Sequence, residues 1–247
     1  MTTILKILPA VAVIMLSGCK KDLITEKDVF NSLQLSRTTA VGDGSQTVGI
    51  VCEINPDATE DKLEFVLRTT LGVFTENKDV KLVKKPEFKN GKLVIETTAQ
   101  VPQNSGTMVI SVEPNQPLDV RDFIIKDSVI VSKSVPFALK LQPSVLGIGS
   151  NLLSEVLVTG VLNNANGGKV SAGYKVKFED KLVNGAPANG RFREQAVSSN
   201  AESKVSTYYG SVGQSIGTDI WIKASVLDDA GNSIQPADSV LIRIINL

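Results

Sequence analysis

Ile220-Trp221-Ile222-Lys223-Ala224-Ser225-Val226 decides the fold class. Its apolar residues occupy every second position, with Trp221, Lys223 and Ser225 between them. A period of two sends alternate side chains to opposite faces of a strand. One dry face and one wet face describe an antiparallel sheet packed on one side. The pattern recurs on either side of this stretch. Val240, Ile242 and Ile244 alternate with Leu241 and Arg243, and Tyr174, Val176 and Phe178 with Lys175, Lys177 and Glu179. Further upstream, Leu93, Ile95, Thr97 and Ala99 share one face, as do Leu63, Phe65, Leu67 and Thr69, with Glu64 and Arg68 opposite. Helical periodicity is hard to find, and Gly, Asn and Asp punctuate the short runs. The expectation is an all-β chain built as antiparallel sandwiches.

The two halves look like copies of one unit. Leu33-Gln-Leu35 answers Leu139-Lys-Leu141, and Gly42-Asp-Gly-Ser45 answers Gly147-Ile-Gly-Ser150. Gly72-Val-Phe74 answers Gly190-Arg-Phe192. Gly106-Thr107 and Asp127-Ser-Val129 answer Gly217-Thr218 and Asp238-Ser-Val240, with the Asp 21 positions after the Gly in both halves. After Gly-Thr the apolar phase is even in the first half (Met108, Ile110, Val112) and odd in the second (Ile220, Ile222, Ala224), which predicts a one-residue bulge or slip. The repeat divides the chain into domains 31–136 and 137–247. Almost no linker remains between them, so a stiff pair is expected.

These landmarks resemble the bacterial Ig-like domains of invasin and intimin, the Big-1 type. The residues that carry the resemblance are Asp43-Gly44-Ser45, Phe65, Thr69-Thr70-Leu71-Gly72-Val73-Phe74 and Gly106 in the first half. In the second they are Tyr174-Lys-Val-Lys-Phe178, Gly190-Arg-Phe192 and the Gly217 strand. They are turn and core residues, so they carry fold rather than activity. The resemblance implies tandem Ig-like sandwiches and a role in cell adhesion or as a rigid spacer. The chain shows neither an outer-membrane barrel nor a lectin-like tip.

The N-terminus gives an address. Met1–Lys6 holds one positive charge, and Ile7–Leu16 is an apolar run interrupted by Pro9. It is too short to span a bilayer, which needs about 20 apolar residues. Leu16-Ser17-Gly18-Cys19 resembles a lipobox. It implies a signal peptide at 1–18, lipidation of Cys19 and a charged tether over 19–30. Two or three acyl chains, each worth about 0.8 kcal/mol per buried CH₂, would hold the protein on the membrane. Cys19-Lys20-Lys21-Asp22 is similar to the start of many Bacteroidetes lipoproteins. The expected location is the outer membrane, facing either the cell surface or the periplasm.

Composition excludes several classes of chemistry. The 247 residues include 26 basic and 26 acidic side chains, a balance that argues against a nucleic-acid partner. The absence of histidine removes Ser-His-Asp and Cys-His catalysis and His-ligated zinc. No catalytic residue, cofactor or metal is expected, and the chain reads as a non-enzyme. Cys52, in the strand-like run Val48–Ile54, reads as a buried core thiol. The best ligand-binding candidate is an aromatic–basic face made by Trp221, Lys175, Lys177, Lys223 and Arg243. It requires their three strands to lie side by side, and it would suit an anionic glycan, a lipid headgroup or an envelope protein. Tyr208 is expected to point outward on the other sheet. Asp228-Asp229-Ala230-Gly231-Asn232 offers oxygens, but without EF-hand spacing it reads as a hairpin turn. Glu179, Asp180 and Glu194 are read as surface acids rather than a hydrolase pair. The alternative to an adhesive or spacer role is a carbohydrate- or peptidoglycan-binding accessory subunit of an envelope complex.

Overall fold

The computed structural model describes residues 25–56, 64–115 and 123–246. The expected signal peptide at 1–18 and Cys19 lie outside the described residues, as does Leu63. Ten strands make the first domain: β1 (Phe30–Leu35), β2 (Thr39–Gly42), β3 (Thr47–Ile54), β4 (Phe65–Thr69), β5 (Val73–Phe74), β6 (Lys81–Lys84), β7 (Glu87–Lys89), β8 (Lys92–Gln100), β9 (Gly106–Pro114) and β10 (Ile125–Lys133). Nine make the second: β11 (Ala138–Pro143), β12 (Gly147–Gly149), β13 (Val156–Asn163), β14 (Lys175–Leu182), β15 (Arg191–Phe192), β16 (Ala196–Ser198), β17 (Lys204–Gly210), β18 (Asp219–Leu227) and β19 (Ser233–Ile245).

Each domain is two facing sheets with the same connectivity. One sheet runs β1-β3-β8-β5 in the first domain, with β7 also on β8, and β11-β13-β17-β15 in the second. The other runs β2-β10-β9-β4-β6 and β12-β19-β18-β14-β16. In both domains the second strand pairs parallel with the last, β2 with β10 and β12 with β19, and the other pairings are antiparallel. Alternation fills the space between the sheets. Along β3, Val48, Ile50, Cys52 and Ile54 are buried, and along β18, Ile220, Ile222, Ala224 and Val226. Two separate apolar clusters result, Val29 to Val131 and Leu139 to Ile244. Burial pushes the Cys52 thiol up to about 12, as expected of an unreactive core residue.

Two expectations need correction. Residues 25–30, expected within the tether 19–30, belong to the folded first domain. Residues Glu26–Asp28 form a 3₁₀ turn that the Asp28 carboxylate caps through Thr25 N–H (2.8 Å). Val29 and Phe30 are already core residues, and Phe30 packs its ring 5.8 Å from that of Phe65. Apolar side chains after a charged run were available to be buried, so the fold claims them. The second correction concerns Gly-Thr. Asp127 pairs with Ile110, four residues after Gly106, whereas Asp238 pairs with Ala224, seven after Gly217. Gly106 sits inside its ladder and Gly217 lies in the turn before β18. The two Gly-Thr pairs are therefore not equivalent. Their three-residue offset is odd, which reverses the face without a bulge at that point. The register shift that β18 and β19 do contain lies further along, at Ser225/Val226.

The domains meet through a buried polar joint. Ser171 N–H donates to the Ser134 carbonyl (3.0 Å), and Ser134 N–H donates to Ser171 Oγ (2.9 Å). The Ser171 hydroxyl donates in turn to the Gly42 carbonyl (2.7 Å). Gln103 Nε2 donates to the Val170 carbonyl (2.8 Å), and the Gln103 carbonyl accepts from Ala172 N–H (3.0 Å). Both serines are 2% exposed, so the bonds they make are buried where water cannot replace them. The Lys133 ammonium also lies 5.6 Å from the centre of the Tyr174 ring.

Candidate binding face of the second domain

Strands β19, β18 and β14 lie side by side, so their outward residues share one face. Register then decides which of them gather. Trp221 is paired with Leu241 on one side and Lys181 on the other. Lys223 lies between Ser239 and Glu179, and Arg243 is opposite Asp219. Trp221, Lys223 and Arg243 therefore come together. Lys177 and Lys175 stand four and six residues along β14 from Lys181, roughly 13 and 20 Å at the rise of a strand. Lys177 nevertheless lies diagonal to Lys223 and shares a depression with it and Glu179, so Lys175 is the member of the predicted five that stands apart. Lys181, absent from the predicted set, is the lysine paired directly opposite Trp221. A shallow depression lined by Leu146, Asp219, Trp221, Leu241 and Arg243 runs along the β12–β19 side of the face.

The face is less basic than its lysines imply. Arg243 Nε and Nη2 grip the two carboxylate oxygens of Asp219 at 2.7 and 2.8 Å. That bidentate pair holds Asp219 below the usual carboxylate range and raises Arg243. Lys177 pairs with Glu179 at 2.8 Å, and its hydrogen bond holds that carboxyl low. Two of the cations are thus matched by acids on the same face. What remains is a half-buried indole beside an exposed leucine, with Lys181 and Lys223 flanking it.

The other candidates resolve into structure. Tyr208 is exposed on the opposite sheet, where the Arg193 guanidinium covers its ring at 4.3 Å. Arg193 also binds Glu155 (Nε to Oε2, 2.9 Å) and holds that carboxyl low. Adjacent positions on a strand face opposite ways, so Glu179 and Asp180 cannot act as a pair. Glu179 points out, whereas Asp180 accepts from the buried Tyr209 hydroxyl (2.9 Å) and from Gly190 N–H (2.6 Å). Asp228 to Asn232 is a turn closed by Asp228 N–H to the Asn232 carbonyl (2.9 Å) and Asn232 N–H to Asp228 Oδ1 (2.8 Å), with Gly231 at φ 85°. Among the described residues no cluster of acids, histidines and cysteines has the arrangement of a metal site.

No protein-family profile matches this chain, and no curated protein does. Solved structures do. The structure of invasin, a bacterial integrin-binding protein, superposes with a TM-score of 0.56 at 16% identity, over 87% of this chain and 39% of that one. The Yersinia pseudotuberculosis adhesin InvE aligns at 12% identity and TM-score 0.46, over 88% of this chain and 60% of its own. The D0-D1 domains of intimin align at 11% identity and TM-score 0.35, over 88% and 99%. The chain thus spans about three fifths of the InvE structure and two fifths of the invasin structure. With the sheet order that the two domains share, the likeness to the invasin structure gives the chain a tandem Ig-like sandwich fold.

Proposed function

We propose that this protein is a lipid-anchored, non-enzymatic component of the bacterial envelope, acting in adhesion or as a stiff spacer that displays its second domain. The joint is the observation that carries this reading. Eight hydrogen bonds through Ser134, Ser171, Gln103 and Gly42 cross a connection of only a few residues. A flexible linker would have served two independent binding modules. A rigid joint suits a part whose task is to hold one end away from the other. The lipobox-like Leu16-Ser17-Gly18-Cys19 supports attachment at Cys19, on the first-domain side.

The test is expression of the full chain in a bacterial envelope. Acylated Cys19 on the N-terminal peptide, detected by mass spectrometry, and loss of the protein from the membrane fraction in Cys19→Ser are the expected results. An unmodified Cys19 on a membrane-free protein would overturn the anchoring. Protease shaving of intact cells then separates display at the surface from a periplasmic position. A second reading, as a glycan-binding accessory subunit, draws on the depression beside Trp221. It predicts that Trp221→Ala abolishes retention on immobilised envelope glycans, whereas the spacer reading predicts no change.

A further inference from the structure

The second domain ends, away from the joint, in the connections 150–154, 183–190 and 211–218. Register fixes their position. Asn163 pairs with Ala138 beside the joint, so the other end of β13, where Val156 pairs with Tyr209, is distal. Leu182 pairs with Ile220, and Gly149 with Ile245, at that same end. The three connections contain no Asp, Glu, Lys or Arg, in a chain of which 21% is charged. They expose five aliphatic side chains instead. Leu153 is 93% exposed, and Leu152, Val183, Val212 and Ile216 lie between 45 and 66%. The surface is preset. Gln214 Nε2 donates to the Ala188 carbonyl (2.8 Å), joining two of the connections. Asn151 Oδ1 accepts from Leu153 N–H and Ser154 Oγ, both at 3.0 Å, and so fixes the third.

The corresponding pole of the first domain shows what such an end does. There the turn at Gly42 and the β8–β9 connection at Gln103 receive the second domain. We propose that the distal pole is also a docking end, and that its occupant is a second copy of this chain, bound pole to pole about a two-fold axis. Depletion of charge over an apolar centre marks the core of an interface. The three connections carry no charged side chain to repel their counterparts in a second copy, as an isologous contact requires. The three connections supply roughly 20 residues, in line with about 20–30 on each side of a standard interface. Arg191 and the Arg193–Glu155 pair border the pole with both signs of charge, which suits reciprocal contacts at a rim. A lipid surface is less well matched, because membrane interfaces favour Trp and Tyr and these connections contain neither.

The experiment is sedimentation velocity on the mature chain from Lys20, which keeps every described residue and lacks the anchor. Its outcome is therefore independent of whether Cys19 is lipidated. Wild-type protein should show a concentration-dependent dimer. Leu153→Asp, and separately Ile216→Ser, should weaken it at least tenfold, while Trp221→Ala on the sheet face leaves it unchanged. Both pole side chains are exposed, so the variants should keep the wild-type unfolding transition of Trp221 fluorescence. A monomer at every concentration would overturn the proposal, as would a dimer indifferent to Leu153→Asp. Binding to phosphatidylethanolamine–phosphatidylglycerol vesicles that Leu153→Asp abolishes, without a dimer, would also overturn it and transfer the pole to lipid.

Discussion

Gly72 and Gly190 hold the same place in two copies of one sandwich, and they are glycine for different reasons. Each precedes a two-residue strand ending in Phe, paired to the long strand of its sheet. Gly72 has φ 75°, and a Cβ there would lie 2.1 Å from the Gln100 carbonyl oxygen. Gly190 has no such φ. Its Cβ would lie 2.2 Å from Tyr209 Oη and 2.4 Å from the ring. The first glycine is demanded by backbone and the second by a side chain that fills the space. A repeat therefore conserves a shape while the physics behind it drifts, and the difference can be tested.

Gly72→Ala should have the largest effect, a loss of about 3–5 kcal/mol from combined strain and overpacking, and no second substitution nearby should rescue it. Gly190→Ala should cost about 3 kcal/mol. Here Tyr209→Ala in the same chain should cost less than the sum of the single changes, because removing the ring removes the clash. Trp221 is the only tryptophan and lies in the second domain, so its fluorescence reports that domain alone, with circular dichroism following both. Equal rescue at both glycines would erase the distinction.

Alkali should separate the domains by another route. Cys52, in the first domain, has a folded value of about 12 against an ordinary 9. The folded value is the higher one, so its contribution is complete below pH 9 and falls from there to pH 12, by about 1.4 kcal/mol per pH unit. Tyr209, in the second domain, is also raised, by burial first and then by Asp180, and its loss begins above its ordinary value of 10. Urea midpoints followed between pH 8 and 11 should fall first for the first domain, and Cys52→Val should flatten that fall. The smallest expected effect is at the joint. Ser171→Ala removes the bonds to Gly42 and Ser134, worth about 1–2 kcal/mol of coupling, and should let the two transitions move apart.

Much of the fold was legible because most core strands alternate, as Ile220 to Val226 does, and because turn glycines recur in order. The short edge strands β7, β15 and β16 have no such alternation to announce them. The candidate face was legible only in part. Alternation shows which way Trp221, Lys223 and Arg243 point, and the strands are neighbours as expected. It does not show register, and register sets Lys181 opposite Trp221, places Lys177 beside Lys223, leaves Lys175 apart, and sets Asp219 against Arg243. The Gly-Thr match failed for the same reason, since a short motif can recur without occupying the same rung. The Asp180–Tyr209 contact had no local signal at all, because its partners are 29 residues apart and meet only when the two sheets close.

The parallel pairing of β2 with β10 has a mechanical consequence. A pull that enters the first domain at Phe30 and leaves it at Lys133 draws these two strands past each other lengthwise. The rungs Thr39–Ile130, Ala40–Val131, Val41–Ser132 and Gly42–Lys133 then bear the load together instead of opening one at a time. β12 and β19 repeat the arrangement over three rungs. Tension along the chain is thus met in shear, the direction in which a sheet yields last.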